Sequence, residues 1–187
     1  VYLKVSDAPN TFLFESVVGG ERFGRYSFIG LPAENKIEVC GDTVTLFKKK
    51  EIIDKVCCDP LNFVEDYISK FTPSPEVYEL PRFCGGLAGY FGYDVVRLVE
   101  PRLRKHVREK ENNLLIPDIL LLEVRDMIVF DNYTGELTLI VFANPEENSA
   151  FQQAENKLDL MEASLSNTLT IPKLGGCEST EIIRRFS

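Results

Sequence analysis

The chain carries a single histidine, His106, and five cysteines with no C-x-x-C spacing among them. A histidine-rich metal centre is therefore excluded, and a Ser-His-Asp triad would have to be built on His106 alone. Arg104, Lys105 and Arg108 surround it and no carboxylate adjoins it, so it reads as a surface residue. The cysteines (Cys40, Cys57, Cys58, Cys84 and Cys177) are odd in number and irregular in spacing. That argues against a disulfide framework and for a reduced, cytoplasmic setting. No stretch approaches the roughly 20 apolar residues that span a bilayer. The opening Val1-Tyr2-Leu3-Lys4 lacks the charged-then-apolar layout of a signal peptide. It also lacks methionine, so the start of the protein is expected to be missing or processed. G-x-G-x-x-G, the P-loop pattern and the Asp-x-Asp-x-Asp-Gly calcium spacing are all absent.

What remains is globular. Hydrophobic residues make up 44% and charged residues 27% of 187, about one domain by length. A compact chain of this size buries roughly 70% of its unfolded surface, enough for a real core. Lys and Arg number 21 against 29 Asp and Glu, a formal charge of 21 − 29 = −8. Nonspecific nucleic-acid binding rests on neutralising phosphates, and an acidic chain is poorly suited to it. The one basic run, Arg102 to Arg108, reads as a solvated face.

The periodicities predict mostly antiparallel strands with flanking helices, an α+β order rather than regular βαβ alternation. Strands are expected at 11–18 and 25–29 around a glycine-rich loop. Lys36–Cys40 and Thr43–Phe47 alternate apolar with polar across Gly41-Asp42, which predicts a two-residue hairpin of type II′. Lys48-Lys49-Lys50 is read as its charged end. Asp59-Pro60 supplies an N-cap and first-turn proline for a helix whose apolar face is Val64, Tyr67, Ile68 and Phe71, stopped by Thr72-Pro73-Ser74-Pro75. Phe83–Phe91 reads as a strand whose glycines allow close backbone approach. A short helix over Asp94–Glu100 should end at Pro101, with a polar loop over 102–114. Ile119–Val124, Met127–Phe130 and Leu137–Phe142 are three further strands. Asn144-Pro145-Glu146-Glu147 should start a helix burying Phe151, Ala154, Leu158, Met161 and Leu165. Residues 1–165 form the expected domain and 166–187 a linker.

Glu15-Ser16 is the polar pair that stands out, set between Phe12-Leu13-Phe14 and Val17-Val18. Buried there, both need partners. Either Glu15 faces solvent while Ser16 fills a tight packing site, or the pair lines a pocket, Glu15 accepting from an ammonium and Ser16 bonding a polar head group. Spacing leaves both open.

Three blocks carry a resemblance. They are Leu13-Phe14-Glu15-Ser16 with Gly20-Glu21-Arg22-Phe23-Gly24-Arg25-Tyr26-Ser27-Phe28-Ile29-Gly30, then Gly85-Gly86-Leu87-Ala88-Gly89-Tyr90-Phe91-Gly92-Tyr93-Asp94, then Pro117-Asp118 through Asp131. In this order they resemble the N-terminal part of anthranilate synthase component I, over roughly residues 9 to 145. The resemblance implies a lyase of tryptophan biosynthesis. It converts chorismate and ammonia to anthranilate and pyruvate with Mg²⁺, takes ammonia from a glutamine amidotransferase component II, and is inhibited by L-tryptophan. Chorismate and Mg²⁺ ligands belong to a following domain of which this chain shows no counterpart, so no catalytic or metal-binding residue is expected here and the chain alone should be inactive. The family's Leu-Leu-Glu-Ser motif falls on Leu13-Phe14-Glu15-Ser16, with Phe14 in place of the second leucine. Ser16 and Glu15 are then the tryptophan-binding candidates, joined by Arg25 and Tyr26. Two other readings are carried: the N-terminal part of aminodeoxychorismate synthase component I, of folate biosynthesis, and a stand-alone amino-acid-binding module. The apparent new segment that stops at Ser187 argues against the latter.

Overall fold

The computed structural model describes residues 1–15, 24–71, 80–104 and 116–168. In chain order the elements are α1 (Tyr2–Val5), β1 (Phe12–Glu15), β2 (Tyr26–Gly30), β3 (Asn35–Cys40), β4 (Thr43–Lys48), β5 (Glu51–Cys57) and α2 (Pro60–Ile68). Then come β6 (Gly86–Phe91), a 3-10 turn (Tyr93–Val95), α3 (Val96–Val99), α4 (Pro101–Arg104), β7 (Ile119–Val124), β8 (Asp126–Asp131), β9 (Glu136–Val141) and α5 (Ala150–Ser166). One sheet has the order β1-β2-β8-β9 and the other β5-β4-β3-β7-β6. Every pairing is antiparallel, and the fold is α+β as the sequence predicts.

The elements stack in four layers. The two sheets face one another across Ala88, Val124, Met127, Val129 and Ile140, with Phe28, Phe83 and Phe142 packed against them. The outer face of the five-stranded sheet buries Ile37, Val39, Val44, Ile119 and Leu121 under Leu61, Phe63, Val64 and Tyr67 of α2. The outer face of the four-stranded sheet buries Ile29 and Ile128 under Val5 of α1 and Met161 of α5. Side chains alternate along a strand, so one strand feeds two of these layers. In β7, Ile119 and Leu121 point to α2 while Val124 points to the other sheet.

Local chemistry accounts for the hairpins. Gly41 has φ +59°, and Cys40 pairs with Thr43 across it, the two-residue turn the sequence predicts. Asp59 caps α2 by accepting from the Leu61 and Asn62 N–H groups, at 3.0 and 3.2 Å. Asp118, of the third sequence block, joins two strand ends. Its Oδ2 accepts from Gly41 N–H at 2.7 Å and its carbonyl from Gly92 N–H at 2.7 Å.

Five expectations are corrected. Lys48-Lys49-Lys50 is not an end: Lys49 takes φ +57° and the chain turns back into β5, with Lys48 opposite Glu51. Pro101 ends α3 but opens α4, in keeping with its preference for a first helical turn. Asn144–Ser149 is a set of turns, in which Asn144 Oδ1 accepts from Glu146 N–H at 3.2 Å, and α5 begins only at Ala150. Phe151 lies 73% exposed rather than on the buried face of α5, and Ile68 of α2 is likewise exposed. The expected stop at Thr72-Pro73-Ser74-Pro75 falls outside the described residues. So do His106, Cys177 and most of the proposed linker.

Gly89 sets the closest backbone approach in the sheet. A Cβ there would lie 1.9 Å from the Leu120 carbonyl oxygen, which is backbone and cannot swing away. Gly89→Ala is expected to cost about 1–3 kcal/mol by forcing β6 from β7. Thermal unfolding of the two proteins checks it; an unchanged midpoint would contradict this account of the glycine.

Candidate functional site

The open ends of the two sheets enclose an apolar groove of about 510 Å³. β1 contributes Phe14 and Glu15, β2 contributes Tyr26 and Phe28, and β6 contributes Leu87 to Gly89 and Phe91, with Phe83 just before it. Pairing explains why aromatic rings gather here. Phe14 lies opposite Phe28, and Phe12 and Tyr26 stand two residues along the same faces. Phe12 and Phe14 rings are 4.6 Å apart, Tyr26 and Phe28 6.0 Å, and Phe28 meets Phe83 edge-on at 5.6 Å. The first two pairs are tilted and the third is T-shaped, and edge-to-face ring pairs stabilise one another beyond their buried area. Phe14 remains 47% and Phe91 51% exposed, so the rings present surface rather than fill it. Glu15 is the one charged residue lining the groove.

The four sequence-derived site residues therefore divide. Glu15 and Tyr26 both line the groove. Ser16 lies outside the described residues. Arg25 is not among the lining residues: it turns to Asp131, with Nε and Nη2 each 2.9 Å from Oδ2, and its guanidinium lies 4.8 Å from the Tyr26 ring centre. The β8–β9 loop holds the start of β2 at further points. Asn132 N–H donates to Arg25 carbonyl at 2.7 Å, and its side-chain amide donates to Gly24 carbonyl at 3.0 Å. Arg25 thus acts as a strut for the groove wall, and Tyr26 is held in place through it.

Sequence reasoning missed Phe28, Phe83 and Phe91 as groove residues. They read as ordinary strand residues, and only the facing of two sheets brings them together. Among the described residues no group of three His, Cys, Asp or Glu side chains could hold a metal ion. Nor is any helix long and apolar enough to cross a membrane.

This two-sheet α+β arrangement matches a portion of a larger fold. The crystal structure of anthranilate synthase component I from Streptococcus pneumoniae TIGR4 matches it with a TM-score of 0.59 at 24% identity, over 82% of this chain and 32% of that one. No family model matches the chain. Its sequence relatives give the particular family. Anthranilate synthase component 1 of Neisseria gonorrhoeae is 40% identical over 189 aligned residues, covering 100% of this chain and 38% of the relative. That of Pseudomonas aeruginosa is 43% identical, over 94% of this chain and 35% of the relative. The chain belongs to the anthranilate synthase component I family and corresponds to its N-terminal part. It spans about 31–38% of the length of the curated relatives it matches.

The Asp131 carboxyl responds to its surroundings in two directions. Burial pushes its pKa up, but hydrogen bonds from the Tyr133 N–H, Arg25 and the Thr134 N–H prevail and hold it below the usual aspartate value. A depressed carboxyl contributes stability that is present above the unfolded-state value, near 3.9, and is lost as pH falls through the folded one. Asp131→Asn is expected to flatten this part of the acid limb of the stability curve. Chemical denaturation between pH 6 and 2.5 measures it; a parallel acid limb in the variant would rule out the clamp's contribution.

Proposed function

We propose that this chain is the tryptophan-sensing part of an anthranilate synthase component I. The whole enzyme would convert chorismate and ammonia to anthranilate and pyruvate, as a cytoplasmic lyase of tryptophan biosynthesis. A glutamine amidotransferase component II would supply the ammonia. Mg²⁺ would act with the part of the enzyme beyond this chain, where the family resemblance places its ligands. This chain alone would then be inactive, and chorismate would reach it only through the partner domain.

The observation that carries the reading is the aromatic groove, with Glu15 the one acidic residue among those that line it. Phe14, Tyr26, Phe28, Phe83 and Phe91 offer ring faces and edges to an indole, and Glu15 offers an acceptor to an ammonium. Ser16 follows Glu15 in the family motif and would bond the same head group. A ligand held between this part and the rest of the enzyme inhibits if it favours the arrangement that binds substrate poorly. Couplings of about 1–3 kcal/mol change affinity five- to 150-fold, which is enough for feedback control.

Ser16→Phe and Glu15→Gln in the full-length enzyme should each raise the tryptophan concentration for half-inhibition, by about tenfold for loss of one charge-assisted hydrogen bond. Anthranilate fluorescence, referred to each variant's own uninhibited rate, reads this out. Unchanged inhibition in both variants would overturn the assignment of tryptophan to this groove.

A further inference from the structure

A second cavity, about 400 Å³, shares no lining residue with the aromatic groove. It lies where the β2–β3 link, the end of β9 and the first turns of α5 meet. Its chemistry is built around Glu123, which is 3% exposed and is the one charged residue among the buried set. Glu123 accepts from the Tyr67 hydroxyl, from Asn35 Nδ2 at 3.1 Å and from Arg125 Nε. Arg125 is thereby pinned through one edge, while its side chain stays 47% exposed and lines the cavity. Its two Nη groups have no protein partner among the described residues. A guanidinium fixed at Nε and open at Nη is a preset fork for a carboxylate.

The cavity holds the opposite sign as well. Glu34 and Glu147 line it, both exposed, and neither forms an ion pair among the described residues. Glu147 is close enough to favour the charged form of Arg125. Lys48 adds a second positive group, whereas Lys157 and Asp126 neutralise each other at 2.7 Å. A bare anion would meet Glu34 and Glu147, and a bare cation would meet Arg125 and Lys48. A molecule carrying both charges satisfies both sets.

We propose that this cavity binds a small zwitterion of the α-amino-acid type, its carboxylate on the Arg125 Nη groups and its ammonium towards Glu34 and Glu147. The polar lining, which includes Asn35, Asn144 and Gln153, suits a short polar side chain. The site is separate from the groove assigned to tryptophan and does not depend on that reading.

Calorimetric titration of L-serine into the full-length protein tests it, with L-tryptophan present throughout and acetate and ethylammonium as single-charge controls. Saturable serine binding is expected, with each control at least tenfold weaker. Arg125→Met should abolish serine binding. Because that variant removes a partner from buried Glu123 and risks misfolding, Glu147→Gln serves as the second variant. It should weaken serine about tenfold and leave acetate no weaker. Absence of saturable binding would overturn the proposal, as would acetate binding as tightly as serine. Equal serine affinity in the parent and Glu147→Gln would overturn it too.

Discussion

The architecture hangs on one continuous stretch of chain, residues 119–131, that is an interior strand of both sheets. As β7 it lies between β3 and β6, and as β8 between β2 and β9. A strand flanked on both edges and covered on both faces has no side left for solvent, which demands a nearly unbroken apolar run. Ile119, Leu121, Leu122, Val124, Met127, Ile128 and Val129 meet that demand, each 7% exposed or less. Residues 125 and 126 are the crossing point between sheets, and there the run becomes charged. Glu123, one step before, is the carboxylate that this crossing buries. A buried charge is tolerated only with hydrogen bonds in place, and Tyr67, Asn35 and Arg125 supply them from α2, β3 and the crossing itself. The same contact affects its partner: burial first, then the bond to Glu123, pushes the Tyr67 hydroxyl well above the usual tyrosine pKa. Removing Glu123's partners is therefore costly, and the network fixes α2, β3 and the crossing relative to one another.

Where local chemistry decided the outcome, the sequence was legible. Gly41-Asp42 specifies a tight turn by backbone conformation alone, and Asp59-Pro60 specifies a helix start by a side-chain acceptor and a fixed φ. The strands 119–124 and 127–130 announce themselves by apolar character that only Glu123 interrupts. What was not legible depended on partners distant in the chain. Lys48-Lys49-Lys50 looks like a solvated end, because lysine carries no turn preference; β4 and β5 pair across a turn in which Lys49 takes an uncommon conformation. Phe151 keeps helical spacing with Leu158 and Met161, yet α5 starts only one residue before it, where Ala150 takes the buried position and the Phe151 ring stays exposed.

The candidate site divides along the same line. Glu15 was singled out because a carboxylate within an apolar run needs an explanation. Phe28, Phe83 and Phe91 were not, because an aromatic residue in a strand needs none. Arg25 shows what a motif position leaves open. Its motif position suggested ligand contact, whereas its guanidinium is committed to Asp131 across the sheet. A motif marks residues that matter to a family without distinguishing those that touch a ligand from those that hold a wall upright.

Both cavities follow from the two-sheet construction, and they differ because of which residues each seam exposes. At one, facing strands β1, β2 and β6 bring ring-bearing side chains together with a single carboxylate. At the other, the chain passes between sheets and must spend charged residues to do so, leaving Arg125 tied at Nε and open at Nη. The first is shaped by packing and would select a ligand by its apolar body. The second is shaped by the requirement that Glu123 be satisfied, and would select by its charged head. Because Arg125 belongs to both the Glu123 network and the cavity, a carboxylate drawn to its Nη groups would act on the strand crossing itself.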